Sequence, residues 1–318
     1  MKPWKNDVAV LCIFFIRDDC FAKSFESVRE ARPRVLLLWQ DGPRENRPDD
    51  LIGIEKCRRI ADNIDWECEV HRFYNTKNYG CDPSTFYSHK WAFSIVDKCI
   101  VLEDDVVPAQ SFYPYCIELL NKYENDTRIN RICGMNNVPD HKCKDSYLFS
   151  SVGSVWGWAT WKRVAESWEE YYDFLEDEDV MSKYLMIHSS KADKAYLKKC
   201  IEHKKDGVAH WEKIQTFSRH LNHQLNIVPC VNLIHNVGLG DGSTHSNTTL
   251  DLMSKQIRDS FYGKAGEISL PLRHPRYIIE DVSYKKELFH ITGRDSLLIR
   301  AKLRLISILL RIRKSIKL

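Results

Sequence analysis

Residues 98–108 read KCIVLEDDVVP, in which a short apolar run leads directly into three consecutive acids. Lys98–Leu102 has the pattern of a buried strand, and apolar character returns at Val106, immediately after the triplet Glu103–Asp105. Three adjacent carboxylates repel one another, and an ordinary solvated turn seldom lies between two apolar runs. The segment therefore predicts a strand that ends at a functional acidic site.

Strand and helix patterns alternate on both sides of this segment. This alternation is typical of an α/β fold with a mainly parallel sheet flanked by helices. Ligands bind such sheets at the carboxyl ends of the strands, which is where Arg17, Asp41 and the triplet fall. Further strands are predicted at Val8–Ile16, Arg34–Gln40, Cys68–Tyr74 and Ile129–Gly134, with helices over 20–31, Leu51–Asn63, Ser84–Val96 and Ser111–Tyr123.

The second half of the chain is less regular. Ser150–Trp161 is rich in Gly, Ser and Trp, and Trp211–Leu221 has helical spacing. Leu225–Leu233 predicts a strand, which a Gly-rich loop follows. Pro271–Tyr277 is typical of a linker.

Composition excludes several classes of protein. With 318 residues, 43% hydrophobic and 29% charged, the chain is typical of a globular protein rather than a disordered one. It has no apolar run of about 18 residues, so we expect no transmembrane helix. The early apolar run lacks the length and cleavage site of a signal peptide. The 11 cysteines form no CxxC pair, which argues against a zinc ribbon and favours a reducing cytosol.

Charge is divided unevenly along the chain. The segment from Arg294 to Leu318 carries eight Lys/Arg and one acid, a net +7, so the overall +3 leaves −4 for the rest. We expect the tail to form a basic amphipathic helix that binds an anionic inner-membrane surface; a helix packed on the protein or on a partner is the alternative. Nucleic acid is disfavoured as a partner, because the acidic body would repel it. The apolar stripe of the tail contains Leu298, Ala301, Leu305, Leu309, Ile312 and Ile316.

Carboxylate oxygens at a strand end suit Mg²⁺ or Mn²⁺, which can bridge to a diphosphate. Four motifs in register over about residues 7–250 resemble the GT-A nucleotide-sugar glycosyltransferases. The chain is similar to the N-acetylglucosaminyltransferase that initiates complex N-glycans, and more so to bacterial surface-polysaccharide transferases. The motifs are IVLEDDVVPAQSF at 100–112, GSVWGWATWKR at 153–163, Trp211-Glu212, and NVGLG at 236–240 followed by Thr244-His245.

The resemblance implies a role for each matching residue on the donor side. Asp105 would bind Mn²⁺ or Mg²⁺, and His245 could approach the metal or the diphosphate. The remaining residues would bind the nucleotide-sugar: Asp104 by the ribose, Glu103 near the base or sugar, and Arg17, Asp41 and Lys90 at other donor positions.

On the acceptor side, Glu212 matches the general base of inverting enzymes, where the family more often has Asp. An inverting transfer needs one carboxylate to take the proton of the acceptor hydroxyl. The resemblance also places Trp156, Trp158 and Trp161 against the acceptor sugar, with burial in the core as the alternative for each.

These inferences predict a metal-dependent, inverting glycosyltransferase that uses a nucleotide-diphospho-sugar, UDP-linked, and a lipid-linked (polyprenyl diphosphate) glycan acceptor. It would act in surface-polysaccharide biosynthesis, as a peripheral protein on the cytosolic face of the inner membrane. We expect a GT-A domain over 1–270, with a nucleotide-sugar half at 1–135 and an acceptor half at 136–270. Residues 271–318 would form a linker and the basic helix.

Two alternatives remain. A sugar-nucleotidyltransferase shares the strand–acid–metal logic but would carry a Gly-rich basic loop where this chain has Arg17-Asp18-Asp19-Cys20. A catalytically inactive scaffold that binds polysaccharide or membrane is disfavoured, because both the triplet and Glu212 are present.

Overall fold

The structure is a computed structural model that describes residues 1–188, 191–239 and 253–294, and the single positions 296, 298, 301, 305 and 308. His245 and most of the predicted tail helix lie outside the described residues. The strands are β1 Asn6–Phe14, β2 Pro33–Gln40, β3 Glu69–Tyr74, β4 Lys98–Glu103, β5 Val106–Pro108, β6 Ile129–Cys133, β7 Tyr147–Ser150, β8 Trp158–Trp161, β9 Leu225–Pro229 and β10 Ile234–Asn236. The helices are α1 Asp18–Ala31, α2 Asp50–Ala61, α3 Cys81–Ile95, α4 Phe112–Lys122, α5 Lys162–Glu166, α6 Glu178–Ile187, α7 Lys191–Asp206, α8 Trp211–Leu221, α9 Lys255–Tyr262 and α10 Val282–Ile291.

Eight strands form one sheet in the order β3-β2-β1-β4-β8-β6-β9-β7. β3, β2, β1 and β4 pair in parallel, β8 lies antiparallel between β4 and β6, β6 pairs in parallel with β9, and β7 closes the sheet antiparallel. Six of the eight strands thus share one direction. The prediction of a mainly parallel α/β sheet flanked by helices is confirmed.

The central strands are apolar on both faces because both faces are covered. In β1, Val10 and Cys12 belong to one core cluster, whereas Ala9 and Leu11 belong to another on the opposite face. The same alternation runs through β2 and β4, as the two-residue period of a strand requires. In β4 it places Glu103 on the same face as Cys99 and Val101, and this face packs against Trp211 of α8.

The Trp-rich motif forms a strand in the middle of the sheet. In β8, Trp158 pairs with Val101 of β4 on one side and with Cys133 of β6 on the other. Trp158 and Trp161 are 1% and 2% exposed, and the Trp161 indole donates to the Leu120 carbonyl at 3.0 Å. Neither ring can stack on an acceptor sugar from such a position, so the acceptor prediction does not hold for these two residues.

A small antiparallel pair lies beside the acidic segment. β5 pairs with β10, with Val106 opposite Asn236 and Pro108 opposite Ile234. The pairing brings the loop after β10 back to the end of β4. It therefore places residues more than a hundred positions apart at one site.

Described residues between 271 and 294 pack on the sheet, whereas the sequence predicts a linker and a basic helix over 271–318. Leu272 joins the main core, and Tyr284 and Leu288 of α10 pack against β7. The Asp281 amide donates to the Phe149 carbonyl at 2.7 Å. Part of the predicted linker and tail segment therefore belongs to the folded domain.

Cys143 and Cys230, 87 residues apart, form a disulfide that the sequence did not predict. The other nine cysteines are free thiols. Among the described residues, no helix is both long and apolar enough to cross a membrane.

Candidate active site

Three neighbouring parallel strands deliver charged residues to one edge of the sheet. β1 lies between β2 and β4, and register pairs Phe14 with Gln40 and Ile13 with Glu103. Arg17 follows β1, Asp41 follows β2, and Asp104 and Asp105 follow β4. The structure thus brings the predicted donor residues from these three strands to the same end of the sheet.

Arg17 links the two aspartates of the triplet. Its Nη2 donates to Asp104 Oδ1 and, at 2.9 Å, to Asp105 Oδ2. Burial raises the pKa of Asp104 to about 6, even though the Arg17 guanidinium opposes the shift. The same two carboxylates raise the pKa of Arg17, which stays charged. The single positive charge of Arg17 therefore neutralises only part of the negative charge of the triplet.

Glu103 lies on the face of the sheet that packs against α8. Its pKa lies well above its usual range, first because it is buried, then because Asp105, Asp104 and Glu212 repel its charge. Glu212 lies in the first turn of α8, directly after Trp211 of the shared core. The strand alternation that places Glu103 on this face of the sheet thus brings it within electrostatic range of Glu212.

The loop after β10 packs on Asp105. The Val237 amide donates to the Asp105 carbonyl at 2.9 Å, and Asn236 Nδ2 donates to its carboxylate at 3.2 Å. A Cβ at Gly238 would lie 2.0 Å from Asp105 Oδ2, so only glycine fits there. Asn236 and Gly238 belong to the NVGLG motif, and the sequence alone assigns neither of them a role.

The triplet suits a hard cation that shares its coordination shell with a substrate. Within the described ranges, no three His, Cys, Asp or Glu side chains converge on a ready-made metal site. Mg²⁺ and similar ions, however, are commonly held by one or two carboxylates together with substrate phosphates. Asp105, with 15% of its side chain exposed and Arg17 as its one cationic partner among the described residues, fits that donor set.

Asp41 and Lys90 have partners that limit their predicted roles. The Asp41 carboxylate is buried and accepts hydrogen bonds from the amides of Gly42, Tyr79 and Gly80 at 3.0–3.1 Å. It therefore fixes the turn that leads into α3. Lys90 donates to the carbonyls of Ala165 and Trp168. Among the described residues it has no contact with the triplet, so a donor role for Lys90 lacks support.

A cleft of about 340 Å³ opens beside Glu212. Trp156 and Phe261 line it, and the rings of Trp156 and Tyr262 lie 5.6 Å apart. Burial raises the pKa of Tyr262, and the negative charge of Asp105 raises it further. The Tyr262 ring therefore lies near both the triplet and the cleft. Of the three predicted tryptophans, only Trp156 reaches a surface that an acceptor sugar can contact.

Two cleft residues were missed at the level of sequence. Arg131 and Arg219 both line the cleft and are 2% and 6% exposed. Strand β6, INRIC, contains Asn130 and Arg131 between apolar residues, and a charged residue inside a predicted strand was a signal. Arg219 follows Glu212 by seven residues, which places both on one face of α8.

No protein-family model matches the chain, and a search of curated proteins finds no match. Among solved structures, the inositol-1-phosphate CTP transferase from T. maritima matches with 12% identity and a TM-score of 0.31, over 51% of this chain and 74% of that one. The glycosyltransferase GlyE of Streptococcus pneumoniae TIGR4 matches with 11% identity and a TM-score of 0.31, over 77% of this chain and 57% of that one. Both are transferases by name, but likeness at this level carries no argument about the activity of this chain.

Proposed function

We propose that this protein is a metal-dependent, inverting glycosyltransferase with a UDP-linked sugar donor. The observation that supports it best is the opposition of two carboxyl groups across one site. The triplet Glu103–Asp105 lies at the end of a central parallel strand, and Glu212, which lines a cleft with aromatic rings, lies within electrostatic range of Glu103. In this proposal the donor diphosphate lies at the triplet and the acceptor hydroxyl lies at Glu212.

In the proposed reaction, Glu212 takes the proton of an acceptor hydroxyl. The hydroxyl oxygen forms a bond to the anomeric carbon of the donor as the bond from that carbon to the diphosphate breaks on the opposite face. The proton ends on the Glu212 carboxylate, and the electron pair leaves with UDP. A divalent cation bound at Asp105 would stabilise the negative charge of the leaving diphosphate.

The donor would lie over the carboxyl ends of β1, β2 and β4. In this proposal Asp104 lies by the ribose and Glu103 near the base or the donor sugar. Arg17 holds Asp104 and Asp105 in place and adds positive charge for the diphosphate. Asp41 acts through the turn at Tyr79 and Gly80 that it fixes.

For the acceptor, we propose a lipid-linked glycan reached from an anionic membrane surface. Three apolar residues of the tail that the structure describes, Leu298, Leu305 and Ile308, are 83%, 56% and 54% exposed. Their exposure supports a tail that contacts lipid rather than one packed on the body. The proposed location is the cytosolic face of the membrane; the Cys143–Cys230 disulfide is a feature that oxidising compartments favour, and it speaks against this part of the proposal.

The test is incubation with a set of nucleotide-sugars in Mn²⁺, in Mg²⁺ or in EDTA. A glycosyltransferase releases free UDP in metal and none in EDTA, whereas a nucleotidyltransferase produces or consumes pyrophosphate. An inactive scaffold does neither. NMR of the product then reports whether the anomeric configuration inverts.

The Asp105→Asn variant should lose metal-dependent UDP-sugar binding, because the amide has no charge to offer the cation. Asp62→Asn is the matched control, since Asp62 is exposed and pairs only with Arg72 in the described chain. Unchanged UDP-sugar affinity of Asp105→Asn in Mn²⁺ would contradict the metal assignment.

A further inference from the structure

The cleft beside Glu212 is strongly cationic. Four basic side chains line it: Arg131, Lys213, Arg219 and Arg294. Glu212 is the one acid among the described lining residues. Because Glu212 is the proposed base, the other charges of the cleft remain without an assigned purpose.

Two nitrogens of the Arg131 guanidinium form hydrogen bonds, and the third has no partner among the described residues. Its Nε donates to Asn226 Oδ1 at 3.2 Å, and its Nη2 donates to Gln215 Oε1 at 2.6 Å. The guanidinium carbon lies 5.4 Å from the centre of the Trp158 ring. Nη1 is buried and has no hydrogen-bond partner among the residues that the structure describes, and the same holds for Nδ2 of the neighbouring Asn226.

Arg219 is nearly as buried as Arg131, and its guanidinium forms fewer hydrogen bonds with the described residues. The Nε of Arg219 has no hydrogen-bond partner within residues 1–188, 191–239 and 253–294. Within the described part of the chain, neither Arg131 nor Arg219 forms an ion pair with a carboxylate. Glu280 interacts electrostatically with Arg219, but its carboxylate accepts the Ser151 amide at 3.0 Å and lies 3.7 Å from Lys285 Nζ.

Two buried guanidinium groups close together are costly without an anion. Burial and the charge of Arg131 lower the pKa of Arg219 to about 10, so both groups stay charged at neutral pH and repel each other. Arginine pairs that offer free N–H groups bind carboxylates and phosphates well, because the planar fork matches their oxygens. The unpartnered nitrogens of Arg131, Arg219 and Asn226 thus supply hydrogen-bond donors for an oxyanion in this cleft.

We propose that Arg131 and Arg219 form an oxyanion-binding subsite, and that the molecule receiving the sugar carries a phosphate or carboxylate that binds there. The second statement rests on the function proposed above. Glu212 and Arg219 are seven residues apart on one helix face, about 10 Å along the axis. The anion is therefore separated from the reacting hydroxyl by one or two sugar units, and it is distinct from the donor diphosphate at Arg17.

The test uses the full-length protein and three probes: inorganic phosphate, glucuronate, and glucose as the neutral match. We expect glucuronate, phosphate or both to raise the melting temperature, and glucose to leave it unchanged. A phosphate response without a glucuronate response assigns a phosphorylated acceptor, and the reverse assigns an acidic sugar.

Arg219→Gln should weaken the anion affinity about tenfold or more, because a charge-assisted hydrogen bond is lost. Arg128→Gln, on an exposed residue paired with Asp126, is the control. Arg219→Lys is the second variant, in case the glutamine variant does not fold; it keeps the charge but loses the fork, and we expect a partial loss.

Phosphate could also bind at Arg17, and Arg17→Gln separates the two sites. A response that persists in Arg219→Gln but disappears in Arg17→Gln would overturn the subsite, as would the absence of any anion response. UDP affinity in Mn²⁺ is measured on the same samples. One outcome separates the two proposals: the anion response is lost in Arg219→Gln, and the unmodified protein does not bind UDP. That outcome would support the oxyanion subsite and contradict the proposed glycosyltransferase function.

Discussion

Glu212 is half-buried at the start of α8, where its neighbours Trp211 and Ile214 anchor the helix in the core. Glu212→Gln keeps the size and hydrogen-bonding shape of the side chain but cannot take a proton. We expect turnover to fall by roughly 10²–10⁴-fold, the usual contribution of a general base. UDP-sugar affinity should change little, because the residue faces the acceptor.

The matched control is Glu202→Gln on α7, where the carboxylate is exposed and pairs with Lys199. Single-turnover kinetics with a saturating donor measures the chemical step directly. Near-normal turnover of the Glu212→Gln enzyme would remove this residue from the mechanism.

The buried imidazole of His89 makes the free energy of unfolding depend on pH. It is fully buried between Trp158 and Trp211, and Nδ1 donates to the Thr85 carbonyl at 2.6 Å in the neutral form. Burial lowers its pKa from 6.5 to about 4. A depressed histidine pKa contributes stability above about pH 6.5, and that stability is lost as the pH falls toward the folded-state value.

Between pH 7 and pH 5 this one group should therefore lower the free energy of unfolding by about 2 kcal/mol. His89→Phe keeps an aromatic ring but cannot titrate. It should be less stable than the original protein at pH 7 and should lose less stability on acidification. Urea unfolding at both pH values gives the comparison, and equal losses in the two proteins would contradict the assignment.

At the scale of elements, the loop after β10 and the end of β4 form one unit. The Val237 amide and Asn236 side chain both bind Asp105, and Cys20 of α1 donates its thiol to the Val237 carbonyl at 3.6 Å. Gly238→Ala would place a methyl group against the Asp105 carboxylate. We expect the carboxylate to move and Mn²⁺-dependent UDP binding to weaken, with a loss of stability of about 1–3 kcal/mol.

Val237→Ala is the control for this loop, since it trims the side chain and leaves the backbone hydrogen bond in place. Calorimetric titration with UDP in Mn²⁺ compares the two variants. Wild-type affinity in Gly238→Ala would show that the loop does not shape the cation site.

The predictions from sequence succeeded where local pattern determines structure. Apolar runs identified β1, β2 and β4, and the rule that parallel strands share their carboxyl ends brought Arg17 and the triplet together. They failed for Trp158 and Trp161, because pairing of β8 between β4 and β6 is a long-range contact. A Trp-rich stretch has the same composition whether it lines a surface or fills the centre of a sheet.

The cleft was the least predictable part of the site. It combines Arg131 from β6, Trp156 from the segment before β8, Arg219 from α8 and Phe261 from α9. No sequence spacing links these elements, since the loops between them differ in length and the sheet order is not the chain order. Only Glu212 and Arg219, on the same helix, could have been connected by their separation of seven residues.

At the scale of the whole molecule, the acidic body and the basic tail predict salt-dependent binding to membranes. Deleting residues 296–318 removes most of the tail cations and leaves Arg294 in the cleft. The shortened protein should keep its melting temperature and its activity on a short soluble acceptor, but it should no longer float with anionic liposomes. Each basic residue near such a surface contributes about 1 kcal/mol, so even half of them would give measurable, reversible binding.

Salt distinguishes this anchor from a packed helix. The Debye length shrinks from about 10 Å at 0.1 M to about 3 Å at 1 M, so flotation of the full-length protein should weaken as salt is added. A tail packed on the body would respond little to salt, and its deletion would expose apolar surface and lower the melting temperature. Flotation of both proteins at low and high salt decides between the two, and equal flotation of the full-length and shortened proteins would rule out the anchor.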